Sequence, residues 1–243
     1  MARAGVARQS LSMQLHSAVT PSLQRHSGWL IPAGLILLSV LPLVGGTLRM
    51  VDLTIGEPAP GTARYFESPA PIVVHAISSL TYFILGAFQF SPSLRRSKPG
   101  WHRRGGYVLI PSGLLCALSG AWMAWFYPPI FGAGTAVATI RIVVATAIAA
   151  FICMGFVKIL ERNIAAHRAW MMRAYALAIA AGTQPLTLAL ILVFPGELGF
   201  TLGLAAGWVL NLVVAEWLIR RAARPLEAQR VEYRALRDPQ GIA

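Results

Sequence analysis

Six long apolar stretches follow one another along the chain, each bounded by polar or turn-forming residues. They run from about Trp29 to Leu48, Pro71 to Phe90, Gly105 to Tyr127, Ala136 to Ile159, Ala174 to Phe194 and Leu198 to Leu218. Crossing a bilayer core takes about 20 apolar residues in a helix, and each stretch meets that length. The runs are continuous rather than alternating, so they predict helices and not the strands of a barrel. The expected fold is therefore all-α: a polytopic transmembrane bundle of about six spans. A basic tail (1–28), a six-helix domain (29–219) and a second basic tail (220–243) make up the chain.

Composition removes the alternatives. Of 243 residues, 56% are hydrophobic and only 12% charged, and the mean hydropathy is +0.61. Soluble domains carry about 25% charged residues, so this chain cannot clothe a water-facing surface. The same figures exclude a disordered chain and a nucleic-acid-binding domain, despite an isoelectric point near 11.0. No small-residue cleavage site follows the first apolar run, which is expected to stay as an anchor. Cys116 and Cys153 both fall inside apolar runs and read as small buried hydrophobes.

The net charge of +12 is distributed unevenly. Arg3, Arg8 and Arg25 precede the first span. Arg95, Arg96, Lys98, Arg103 and Arg104 lie between spans two and three. Lys158, Arg162, Arg168 and Arg173 lie between spans four and five, and Arg220, Arg221, Arg224, Arg230, Arg234 and Arg237 follow the last. Opposite these eighteen stand only Arg49 and Arg64. Cytoplasmic loops carry the excess of Lys and Arg, so both termini are expected in the cytoplasm. The same charges suit a bilayer with anionic headgroups.

Turns on the sparsely charged side are tight at Pro128–Pro129 and Pro195–Gly196, making spans three and four, and five and six, antiparallel neighbours. Trp122, Trp125, Phe126 and Tyr127 resemble an interfacial aromatic belt. Gly199, Gly203 and Gly207 form a repeated GxxxG, which allows close helix contact either in a homodimer or within the bundle. Pro111 and Pro185 are expected to kink their helices.

Polar groups at membrane depth are costly and therefore informative. Gln184 and Asn211 suit hydrogen bonds between helices, and Glu216 suits an ion pair with an arginine near the membrane edge. His75 and Arg141 lie at similar depth near the sparsely charged side and define a candidate outer ligand site. Arg141 could instead snorkel or reach Glu197. A candidate inner site is sharper: His102-Arg103-Arg104 opens span three, and His167-Arg168, followed by Arg173, precedes span five. Helix N-termini with free N–H groups flanked by arginines attract anions. The two His-Arg pairs, 65 residues apart, also hint at a duplicated hairpin, although the residues beyond them do not match.

Gly86-Ala87-Phe88-Gln89-Phe90, His75, the basic loop to His102-Arg103-Arg104-Gly105, and the run from His167 to Leu177 resemble a bacterial family of predicted membrane proteins, domain of unknown function 2306. The resemblance covers roughly spans two to five. It implies a multi-pass protein of a bacterial inner membrane, gives weight to the three histidines, and implies no activity.

Three functions fit this pattern. The first is a b-type haem or other redox protein, with His102 and His167 as iron ligands and arginines pairing the propionates. His75, about 22 Å of helix away from the inner end of its span, cannot join them, and both inner histidines sit at exposed helix ends. The second is a binder, transporter or transferase for an anionic amphiphile, held by arginines and helix N-termini. The third is a structural or regulatory subunit. No Walker sequence or GxGxxG motif supports nucleotide binding.

Overall fold

The computed structural model describes residues 2–56, 58, 61–129 and 134–237, and side chains within residues 29–224 of these. Eight α-helices occur among the described residues: α1 (Ala2–Ile55), α2 (Ala63–Glu67), α3 (Pro69–Gln89), α4 (Pro92–Ser97), α5 (Pro99–Phe126), α6 (Thr135–Leu160), α7 (Ile164–Thr187) and α8 (Glu197–Arg237). A 3-10 segment, Leu188–Leu192, joins α7 to α8. Six helical stretches are long and apolar enough to cross a membrane. They are Trp29–Ile55, Pro69–Gln89, Pro99–Phe126, Thr135–Leu160, Ile164–Leu192 and Glu197–Arg224.

Several boundaries differ from those the sequence pattern predicts. The first span continues past Leu48 to Ile55 and stops at Gly56, which takes a left-handed φ of 83°. The basic segment before span three is not a loop. Ser91 caps α4 by accepting from the Leu94 N–H, and α5 starts at Pro99. The segment between α6 and α7 shrinks to a turn through Arg162, at φ 58°, and Asn163 caps α7. The backbone of residues 2–28 is continuous with the first span in α1, and that of residues 225–237 with the last span in α8. Arg3, Arg8, Arg25, Arg230, Arg234 and Arg237 lie outside the residues whose side chains are described.

The helices pack as a ring. α3 lies against α5, α5 against α6, α6 against α7, and α1 closes the circle by packing on both α7 and α3; α8 covers α7 from outside. The core lies toward the arginine-rich end, where Tyr82, Phe83, Ile148, Ile152 and Tyr175 interlock. Gly113 lets Tyr82 and Ile152 approach α5: a Cβ there would lie 2.6 Å from each side chain. The Tyr175 hydroxyl crosses to donate to the Phe83 carbonyl at 2.8 Å, which satisfies a buried phenol in a helix bundle. Large apolar side chains such as Leu192, Trp125 and Leu37 point outward, 87%, 73% and 74% exposed. That is the polarity a helix bundle shows to lipid.

The glycine stripe of α8 is covered by the chain itself. Gly199 abuts the Phe194 carbonyl, Gly203 abuts Leu188, and Gly207 abuts Gln184. Of the two readings of this stripe, packing within the bundle is the one seen: α7 and the 3-10 segment lie against all three glycines. Asn211 and Gln184 act as expected. Asn211 accepts from Thr183 Oγ1 at 2.9 Å and donates to the Ala176 carbonyl at 3.1 Å, and Gln184 Nε2 donates to the Leu204 carbonyl at 3.4 Å.

Candidate functional site: a cationic cavity inside the helix ring

A cavity of about 470 Å³ lies within the ring, in the half nearer the sparsely charged end. All five ring helices line it, and Trp208 of α8 contributes from behind. The volume is in the range of small-molecule sites. Along α5 its wall runs from Tyr127 to Ala117, roughly 15 Å at 1.5 Å per residue.

Polarity changes along that depth. Arg49, Arg64, Tyr65, Tyr127 and Arg141 stand near the mouth, and Phe83, Ala117, Ile148 and Leu177 form the floor. The mouth is braced by its own contacts. Arg64 donates to the Pro128 carbonyl at 2.8 Å and to the Tyr65 hydroxyl at 2.7 Å. Its guanidinium lies 4.8 Å from the Tyr65 ring centroid, a cation–π distance. Tyr127 donates to the Ser68 carbonyl at 2.6 Å and meets Tyr65 edge-on. The tyrosines thus fix two loops and α5 together, so Tyr127 belongs to the site and not only to an aromatic belt.

The charge at the mouth is uncompensated. Arg49 pairs with Asp52 of its own helix at 2.8 Å. Arg64 has no carboxylate partner among the described residues, and its Nε is enclosed without a hydrogen bond. Arg141 makes no hydrogen bond or ion pair among them. The Glu197 alternative is not realised: that carboxylate sits against Gly134 at the start of α6. Three guanidiniums against one carboxylate leave this pocket strongly cationic. Arg64 and Arg141 also line a second cavity of about 310 Å³, with Trp125, Pro128 and Thr135.

His75 lies on the cavity wall. Its Nδ1 is 2.9 Å from the Cys116 carbonyl and 3.2 Å from Ser119 Oγ. A carbonyl can only accept, so Nδ1 carries the proton and Nε2 is left as the free position. Gly120 makes room for the ring; a Cβ there would stand 3.3 Å from His75 Cε1.

The other candidate residues lie at the arginine-rich end and only partly converge. His102 is within electrostatic reach of Arg95 and His167. Burial, then the charges of Arg168 and Arg96, lower Arg95 from the usual guanidinium value. Arg103, Arg104 and Arg168 are exposed. Arg173 belongs to another contact: it forms a two-pronged ion pair with Glu216, Nη2 to Oε2 at 3.0 Å, and stacks on Trp170. The expected free N–H groups are not at the histidines. The His102 and His167 amides already bond to Lys98 and Asn163 carbonyls, because both residues stand inside the first turns of α5 and α7. The His167 Nδ1 is held by the Gly155 carbonyl at 2.8 Å, whereas His102 Nδ1 is enclosed without a partner. The two His-Arg pairs therefore differ in their contacts.

Nothing in this geometry favours haem. The described cavity offers one imidazole, and His102 and His167 are not among the residues lining it. No group of three or more His, Cys, Asp or Glu suited to a metal occurs among the described residues.

Sequence reasoning placed His75 and Arg141 together but ranked them second. It missed Tyr65, Tyr127, Arg49 and Arg64 as partners. A signal existed: Arg49 and Arg64 are the two exceptions to the charge asymmetry, and Arg64 adjoins a tyrosine.

Six helices long and apolar enough to cross a membrane, five of them around a cavity with a cationic mouth and an apolar floor, define an integral membrane protein. The chain belongs to the family described as predicted membrane protein (DUF2306), which it matches over residues 72–219. No curated protein and no solved structure matches it.

Proposed function

We propose that the protein binds an anionic amphiphile in the ring cavity, as a carrier or transporter of it. The supporting observation is the uncompensated Arg141, set with Arg64 at the mouth of a pocket whose floor is apolar. An unpaired guanidinium at membrane depth is costly, and an anion there recovers charge-assisted hydrogen bonds. Arg141 and Arg64 take the acidic group, His75 Nε2 accepts or donates one further bond, and Phe83, Ile148 and Leu177 receive the apolar body. No group of three or more His, Cys, Asp or Glu suited to a metal accompanies the arginines among the described residues.

The arginine-rich rim around His102, His167, Arg95 and Arg168 is a second reading for anion contact, favoured by the convergence of their charges. Titration of dodecyl phosphate and dodecanoate into the purified protein, in neutral detergent, tests both. Arg141→Gln is expected to weaken binding tenfold to a hundredfold, from the loss of about 1.5–3 kcal/mol for a hydrogen bond to a charged group. Arg96→Gln, an exposed control at the other end, should leave it unchanged. A loss confined to Arg168→Gln moves the site to the rim. Equal losses at all three positions reduce the effect to general surface charge.

A further inference from the structure

The cavity is separated from the surrounding lipid, on one face, by a single helix. α1 bridges α3 and α7. Its inner side supplies Pro42, Gly45, Gly46 and Arg49 to the cavity wall. Leu37, Leu41, Val44 and Leu48 on the same stretch are 74%, 61%, 50% and 56% exposed. One helix thickness therefore stands between the pocket and the membrane.

The two halves of that helix are fastened differently. Before Pro42, Pro32 and Ser39 are fully enclosed, and the Leu38 carbonyl is pressed onto α7 at Gly182, where any Cβ would collide with it. Proline has no N–H, so Pro42 leaves that same Leu38 carbonyl without its helical partner four residues on. The carbonyl that marks the hinge is thus also the one that pins the helix to α7. After Pro42, α1 has no buried residue. A Cβ at Gly45 would meet nothing within 4 Å, and one at Gly46 would meet only the Ala76 methyl, at 3.9 Å. Arg49 spends its ion pair on Asp52, within α1, and reaches the bundle only through a 5.8 Å approach to the Tyr65 ring. Proline followed by two glycines is where a helix bends most readily.

We propose that the ligand is a membrane-dissolved acidic lipid, and that it reaches the cavity sideways, between α1 and α3, when the part of α1 beyond Pro42 swings away. This inference rests on the binding reading above and narrows its ligand from any anionic amphiphile to one delivered by the bilayer. The chain slides past Gly45 and Gly46, where no side chain blocks it, and the acidic group comes to rest between Arg49, Arg64 and Arg141. On the opposite side the interlocked Tyr82, Ile152 and Tyr175 close the floor, so the pocket does not run through to the arginine-rich end.

The contact between α1 and α3 provides its own test. Disulfides join Cβ atoms about 3.8 Å apart, and position 46 stands 3.9 Å from Ala76 Cβ. Gly46→Cys with Ala76→Cys, in a Cys153→Ser background that removes the exposed native thiol, should lock α1 onto α3 on oxidation. The protein is reconstituted into phosphatidylcholine vesicles, and loading of radiolabelled dodecyl phosphate from the bilayer is followed, with inorganic phosphate as the water-borne arm. Loading should slow at least tenfold on oxidation and recover with dithiothreitol, while each single-cysteine variant should load at the same rate under oxidising and reducing conditions. Equal loading rates in the oxidised and reduced states overturn the lateral route. So does binding of inorganic phosphate as tight as that of dodecyl phosphate. If neither the parent nor the reduced variant binds either probe, the cavity reading itself fails and the route falls with it. Pro42→Ala is the crosslink-free variant: restoring the helical bond to Leu38 should slow loading, and an unchanged rate counts against the hinge.

Discussion

Arg141 and Arg173 are both arginines in membrane-spanning helices, and their surroundings give them opposite meanings. Arg173 meets Glu216 of α8 with two bonds and lies on the Trp170 ring; its charge is neutralised and it fastens α7 to α8. Arg141 faces a cavity with no acid to meet it. The pair at Arg173 is about a quarter exposed, 22% and 28%, so solvent and headgroups screen it, and it contributes about 1 kcal/mol. In a double-mutant cycle followed by denaturation in mixed detergent, Arg173→Gln should lower stability by about that amount. Adding Glu216→Gln should recover part of the loss, because it removes the carboxylate left unpaired at the membrane edge. No recovery would show that Arg173 acts through Trp170 instead.

At the scale of elements, close approach is bought with glycine, and each approach serves packing within the chain. Gly203 of α8 lies where a Cβ would be 2.9 Å from Leu188 Cα and 3.0 Å from the Thr187 carbonyl. Backbone atoms cannot step aside as side chains can. Gly203→Leu should therefore lower the thermal unfolding midpoint clearly while the oligomeric state, read by light scattering in detergent, stays as in the parent. A change of oligomeric state with unchanged stability would restore the intermolecular role for the stripe. The GxxxG pattern was legible in the sequence because spacing alone defines it. The choice among its possible partners was not, because it is fixed by the path of the chain: the 3-10 segment after α7 turns through Pro195–Gly196 and lays itself along α8.

For the whole molecule, an even number of spans predicts that both ends of the described chain lie on one side of the membrane. The distribution of Lys and Arg predicts that side to be the cytoplasm. Phosphatase and fluorescent-protein fusions at either end should report the same compartment, with fluorescence and no periplasmic phosphatase activity. Activity at one end only would remove one of the six spans. The same asymmetry leaves the sparsely charged end with Arg49, Arg64 and Arg141 alone, and the ring gathers all three around one cavity.

Hydropathy, charge distribution and the turn residues determined by themselves the helical class, six spans and the antiparallel neighbours, because each depends on runs of adjacent residues meeting lipid or water. The same reading found His75, Arg141, Gln184, Asn211 and Glu216, since any polar group at membrane depth is conspicuous. Three matters were decided only by tertiary structure. One was that Arg64 and Tyr65 of α2, Tyr127 at the end of α5 and Arg141 of α6 share a pocket mouth. Another was that His102 and His167 lie within helices whose amides are already bonded. The last was that α1 closes a ring at Gly182 and has no fully buried residue beyond Pro42. Each concerns residues far apart in the chain, where spacing along one helix carries no information about which helix stands opposite.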